Sequence, residues 1–222
     1  MTDAPRRALW PILTDPLIRQ NPVTLQILGI CSALAVTTSI VTALTMSLSL
    51  IFVVVMAALL ISLIRRHIPS SIRLIVQIMI VASLVIVIDQ FLQAYFYEIS
   101  RSLSVFVSLI ATNCLVLGRT ESFARHNAPV PAMVDALGNG LGYSLVLLLI
   151  GGAREFFGTG KLAGFQILAT VDQGGWFVPL NLMLLAPSAF FILGGLVWLI
   201  RSFWAEQIEQ PEFPAPEPDR AP

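Results

Sequence analysis

Leu28-Gly29-Ile30-Cys31-Ser32-Ala33-Leu34-Ala35-Val36 holds one of only two cysteines in the 222-residue chain, inside an uncharged, small-residue stretch. The other stands in Ile110-Ala111-Thr112-Asn113-Cys114-Leu115-Val116-Leu117-Gly118, a stretch of the same character. Taken together, the two stretches read as one structural element used once in each half of a membrane protein, with opposite orientation. On that reading the two sulfurs meet near the bilayer midplane and supply half of a metal site.

Composition sets the class. Hydrophobic residues make up 56% of the chain and charged residues 12%, whereas soluble domains carry about 25% charge. The chain reads as an all-α integral membrane protein. Formal net charge is zero, so the overall balance names no partner, and the scattered arginines form no nucleic-acid footprint. The N-terminus lacks the pattern of a cleaved signal, so the first hydrophobic segment is expected to stay in the mature protein. Two cysteines in apolar surroundings make a poor disulfide framework.

Working outward, Gln20 to Ile64 is free of charge for 45 residues. A full span takes about 20 residues, so two spans and a turn barely fit. The first segment, with Gly29 and the Thr37-Thr38-Ser39 run, is therefore expected to be a broken or half-length helix, followed by a full one near 43–64. A third span is expected at 74–97, ending in the aromatic cluster Tyr95-Phe96-Tyr97, as suits headgroup level. The fourth segment has 17 uncharged residues between Arg101 and Arg119, marginal for a span. Fifth and sixth spans are expected near 136–152 and 176–200. The domain plan is then a cytoplasmic arm (1–20), a first three-helix repeat (21–99), a second, inverted repeat (100–203) and a Pro-rich tail (204–222), disordered by composition.

With both termini inside, ten basic residues fall on the cytoplasmic side and three (Arg101, Arg154 and Lys161) outside, in keeping with the positive-inside rule. Segments two and five both end in Ile-x-x-x-Arg, at Ile61…Arg65 and Ile150…Arg154. An odd number of spans per half makes the repeat an inverted one, and paired short segments at matching positions point to its functional centre.

A membrane cysteine can simply fill a packing gap. An iron–sulfur cluster needs four protein ligands, and so does a structural Zn²⁺. Two thiols with no histidine nearby complete neither, so a metal site requires two further thiolates from another chain. Packing and ligation both stay open on spacing alone.

The runs NPVTLQILGICSALAVTT (21–38), HIPSSIRLIVQIMIVASLVIVIDQ (67–90), LSVFVSLIATNCLVLGRTESFA (103–124) and GGWFVPLNLMLLAPSAFFILGGLVWLIR (174–201) resemble the D/E membrane subunits of the Na⁺-translocating NADH:quinone reductase and Rnf complexes. Within that family the D type is the better match. The E type of Rnf typically reads Cys-Pro where this chain has Cys31-Ser32. The resemblance implies six transmembrane segments as two inverted three-helix repeats, with segments one and four short or broken. It implies a multi-pass subunit of the bacterial inner membrane, paired with a homologous E-type subunit in a complex that also holds A, B, C and F subunits. A [2Fe-2S] cluster, or iron, would be held by two cysteines from each of the pair, matching Cys31 and Cys114 here. The complex passes electrons from NADH to ubiquinone and exports Na⁺.

Other residues weigh less. Asp89, late in the third span, is a costly intramembrane acid, and Asp135 opens the fifth. One outer and one inner acid suit the two ends of a cation path, since hard cations take oxygen ligands; each could equally mark a helix end. Asn113 could donate to a cluster sulfur or cap the broken helix. Gly138-x-x-x-Gly142 reads as a close-approach surface between helices. No flavin-attachment pattern and no independent active site are legible. The rival classes are a subunit of the ferredoxin-dependent Rnf complex, an inverted-repeat transporter subunit without a redox centre, and a structural anchor.

Overall fold

The computed structural model describes residues 9–17, 21–65, 67–69, 72–95, 109–162, 165–166, 183 and 185–203. The helices are α1 (Leu9–Thr14), α2 (Ile30–Val36), α3 (Ile40–Ile64), α4 (Arg73–Tyr95), α5 (Cys114–Arg119), α6 (Pro129–Thr159) and α7 (Ala186–Phe203). A 3₁₀ turn (Asp15–Leu17) follows α1 and a π turn (Thr120–Ala124) follows α5. Among the described residues the other regular element is a minimal antiparallel pair, Lys161–Leu162 with Phe165–Gln166.

Among the described residues α3, α4 and α6 are long and apolar enough to cross a membrane. At 1.5 Å per residue the 25-residue α3 is about 37 Å long, more than the ~30 Å hydrocarbon layer. Its surface inverts the logic of a soluble helix. One face is buried through Ala43, Met46, Leu50, Val53 and Ala57, while the other exposes Leu44, Leu48 and Phe52. An apolar outer face suits lipid. Its hydroxyls need no water, because Thr45, Ser47 and Ser49 each donate to the carbonyl four residues back.

The core is α3 against α6, antiparallel. Small residues bring them together: a Cβ on Gly140 would lie 3.0 Å from Ile51, and one on Gly151 would touch Ala43 at 3.4 Å. Both ends are latched by polar groups. Ser62 Oγ and Arg65 donate to the carbonyl of Asn127, just before α6. At the other end Glu155 Oε2 accepts from the Ile40 amide at 2.7 Å, satisfying a helix N-terminus with a carboxylate. α6 begins at Pro129, where the missing N–H costs nothing, and stops at Gly160 in the left-handed conformation (φ 67°).

Several expectations shift. The second and third segments fall within a few residues of their expected bounds. The fifth is far longer than 136–152, because polar residues read as its ends lie inside the helix with partners. Arg154, expected on the outer side at the end of the fifth segment, is 0% exposed and lies within α6. Residues 9–17 of the expected polar arm form α1 and its 3₁₀ turn and lie on α6: a Cβ on Gly138 would sit 2.8 Å from the Leu13 carbonyl. The close-approach surface at Gly138 and Gly142 thus receives the N-terminal segment rather than another long helix. The sixth segment is described as α7, starting at Ala186. Phe96, Tyr97, Arg101, residues 174–182 and the tail 204–222 lie outside the described residues.

The end of the bundle where α3 stops collects basic residues. Glu121 of the π turn takes Arg73 and Arg125, each at 3.0 Å, and Gln77 Nε2 at 2.8 Å.

Candidate functional site

Both cysteines open short helices. α2 has seven residues and starts after Gly29, whose φ of 79° is left-handed and suits glycine. The helical backbone at 109–111 gives out at Thr112-Asn113 and restarts at Cys114. There Asn113 caps the six-residue α5, its Oδ1 accepting from the Leu115 amide at 2.9 Å. The break in the fourth segment therefore falls immediately before its cysteine.

The two helix starts touch. Asn113 Nδ2 donates to Ser32 Oγ at 2.9 Å, joining residues 81 apart in sequence. Ser32 Oγ also lies 2.5 Å from the Tyr143 hydroxyl and 3.0 Å from the Gly29 carbonyl, and Tyr143 reaches that carbonyl at 3.3 Å. Ser32, Asn113 and Tyr143 are all buried, while Cys31 and Cys114, their chain neighbours, are both free and exposed. At each helix start the polar side chain turns into the core and the thiol turns out of it.

Glycine at position 29 is needed for space as well as for φ. A Cβ there would stand 2.7 Å from Tyr143 Cε2 and 3.2 Å from Asn113 Oδ1.

The far ends of the cysteine helices are held by α6. Arg154 donates to the Leu34 carbonyl at 3.2 Å and to Thr37 Oγ1 at 2.7 Å, at the C-terminus of α2, where a cation is favourable. The same guanidinium donates to the carbonyls of Met183 and Leu185 at 3.1 and 3.2 Å, ahead of α7. At the end of α5, Arg119 forms a bidentate pair with Asp135 of α6 through Nε–Oδ2 (3.1 Å) and Nη2–Oδ1. Asn139 adds a bond to the same carboxylate at 3.2 Å.

Asp135 is thus tied into the fold by an arginine. Asp89 differs: Oδ2 accepts from Gln93 at 2.7 Å, and Oδ1 is buried with no hydrogen-bond partner among the described residues. Sequence reading named the two cysteines and Asn113 but missed Ser32 and Tyr143. A tyrosine deep in a glycine-rich apolar run was the available signal, since a buried phenol must find a partner.

As a metal site the donors fit one half of a cluster. Two exposed thiols flank a rigid polar junction, and among the described residues no group of three or more His, Cys, Asp or Glu comes together. A four-thiolate set could be completed only across an interface, and the outward thiols suit that.

Residues 9–197 match the family model described as Rnf-Nqr subunit, membrane protein. The D subunit of the Na(+)-translocating NADH-quinone reductase of Shewanella frigidimarina is 56% identical over 209 residues, covering 94% of this chain and 99% of that protein. The protein of the same name from Shewanella denitrificans is 56% identical over 203 residues, 91% of this chain and 97% of its own. A third, from Shewanella sp. strain W3-18-1, is 54% identical over 209 residues, 94% of this chain and 99% of its own.

Proposed function

The chain belongs to the Rnf-Nqr family of membrane subunits, and from that premise we propose that it relays electrons inside the membrane, as the D-type subunit of a Na⁺-translocating NADH:quinone reductase, through an iron–sulfur centre that Cys31 and Cys114 help to hold. The observation that carries this reading is the 2.9 Å bond between Asn113 and Ser32, which joins the starts of the two cysteine helices while both thiols face outward. A packing role would turn the sulfurs inward.

Cys31 and Cys114 provide two thiolates, and a homologous E-type subunit provides two more to complete a [2Fe-2S] cluster. Such a centre, when bound, takes up and releases single electrons. The chain's own part is to hold the sulfurs, orient them through Asn113, and keep water away with the apolar faces around α2 and α5. Electrons from NADH pass through the complex to ubiquinone, and the A, B, C and F subunits complete the assembly. Reductase activity belongs to that complex.

The architecture we propose is six segments in two inverted repeats, 21–99 and 100–203, with both termini on the cytoplasmic side of the inner membrane. Its support is a reciprocal latch. Arg65 at the end of α3 reaches the connector feeding α6, at the Asn127 carbonyl. Arg154 near the end of α6 reaches the C-terminal end of α2, the segment that precedes α3, at Leu34 and its cap residue Thr37. Two halves related by a twofold axis in the membrane plane would place such groups in this way.

We place Asp89 at the outer end of a cation path, on the ground of its buried Oδ1, which has no hydrogen-bond partner among the described residues. Asp135, at the inner end, would have to exchange Arg119 for a cation in order to take part.

The test is iron content and low-temperature EPR of the purified complex with wild-type chain and with Cys31→Ser. Loss of iron and of a cluster signal is expected; wild-type iron and signal in the variant would overturn the proposal.

A further inference from the structure

We propose that Tyr143 is the positioning residue of the cysteine pair, its hydroxyl bracing Ser32, whose bond to Asn113 joins the starts of α2 and α5, so that Cys31 and Cys114 present their sulfurs at a fixed spacing. This rests on the reading of the two cysteines as cluster ligands and extends it to a residue of a third helix.

Helices of seven and six residues are too short to hold their own conformation or direction, so tertiary ties set their orientation. The far ends are tied by Arg154 and Arg119. At the cysteine-bearing ends the ties converge on one junction. Ser32 carries a single hydroxyl proton and two lone pairs, and it meets Asn113 Nδ2, the Gly29 carbonyl and the Tyr143 hydroxyl at 2.9, 3.0 and 2.5 Å. Tyr143 is the member anchored outside both cysteine segments, on the long helix that packs against α3.

Its ring matters as much as its hydroxyl. Cε2 and Cδ2 occupy the space beside Gly29 that a Cβ would need, at 2.7 and 3.4 Å. The residue is 0% exposed, and a tyrosine has few rotatable bonds, so it makes a stiff spacer. Eleven residues on, three helical turns along α6, Arg154 holds the other end of α2. The same helix therefore grips α2 at both ends and α5 at its end through Asp135. Tyr143 touches the ligands only through their neighbours, so it positions them and takes no part in electron transfer.

The experiment uses Tyr143→Phe, which keeps the ring, and Ser32→Ala, which cuts the junction from the other side. Tyr95→Phe, on the exposed part of α4 (72%), is the control. In the purified complex the first two variants are expected to bind iron roughly 10-fold more weakly against a chelator, the low end of the cost of losing a hydrogen bond made directly to a ligand. The EPR line shape should change and the midpoint potential should shift. In the full-length iron-free chain, bridging of Cys31 to Cys114 by a short bifunctional thiol reagent should fall several-fold, with Tyr95→Phe at wild-type level throughout. Wild-type line shape, potential and bridging yield in Tyr143→Phe would overturn the inference. The ligand reading fails separately, if the wild-type signal does not depend on Cys31, and the bridging yields then still decide whether Tyr143 sets the spacing.

Discussion

Replacing Gly29 with alanine tests the packing of the site at its tightest point. Two penalties apply. The left-handed φ of 79° costs a residue with a Cβ about 1–2 kcal/mol. The new methyl would meet Tyr143 Cε2 at 2.7 Å and Asn113 Oδ1 at 3.2 Å, and forcing atoms into a packed core costs about 1–3 kcal/mol. Neither neighbour can yield cheaply, since Tyr143 is held by Ser32 and Asn113 by its cap to Leu115. The sum is about 2–5 kcal/mol. Gly152→Ala is the control: its Cβ would find only Ile40 Cδ1, at an ordinary 3.8 Å, and within a helix alanine gains about 1 kcal/mol over glycine. The assay is apparent melting of the purified complex at a fixed scan rate, read with iron content, because unfolding of such assemblies is irreversible. The predicted order is Gly152→Ala at or above wild type and Gly29→Ala well below it, with iron lost in the latter. If Gly29→Ala melts with wild type and keeps its iron, the junction at Gly29 is not as close as described.

Three further outcomes follow from the same contacts. Asp135→Asn leaves Arg119 facing a neutral partner inside the protein and should cost about 3–5 kcal/mol, whereas the double variant Arg119→Met/Asp135→Leu should recover most of it; a double-mutant cycle on melting temperature measures the coupling. Arg154→Lys should lower the yield of assembled complex nearly as much as Arg154→Met, since a single ammonium cannot serve both Thr37 and the Met183 and Leu185 carbonyls as the fork does. Burial pushes the Glu121 carboxyl up, but the Gln77 hydrogen bond and the Arg73 and Arg125 charges outweigh it, so its pKa lies below the ordinary value. Its stabilising effect is then present above the unfolded pKa and lost as pH falls through the folded one. The melting difference between wild type and Glu121→Gln should therefore close on acidification and hold steady on the alkaline side.

How much of this was legible beforehand varies by residue. α3 and α4 were readable because a long apolar run bounded by Arg65 and Arg73 leaves little freedom. The break at Thr112-Asn113 and the short helix after Gly29 could be read from small polar residues in segments too short to span. α6 was under-read at both ends. Asp135, Arg154 and Glu155 look like interface charges until their partners, Arg119, Thr37 and the Ile40 amide, are in place, and those partners are 16, 117 and 115 residues away. α1 was missed for the same reason: a proline-flanked polar arm gives no sign that Gly138 and Gly142 leave room for it. Ser32 carries no local pattern, and Tyr143 shows only as a phenol set in a glycine-rich apolar run; it is the fold, by crossing 111 residues, that gives the pair its role.

Thiol labelling of the assembled complex asks whether Cys31 and Cys114 hold the iron, each being followed individually by mass spectrometry before and after iron is stripped. Cys31 and Cys114 should both resist alkylation while iron is bound and become reactive together, in step with iron loss. Alkylation of either cysteine while the iron stays in place would show that this cysteine is not a ligand.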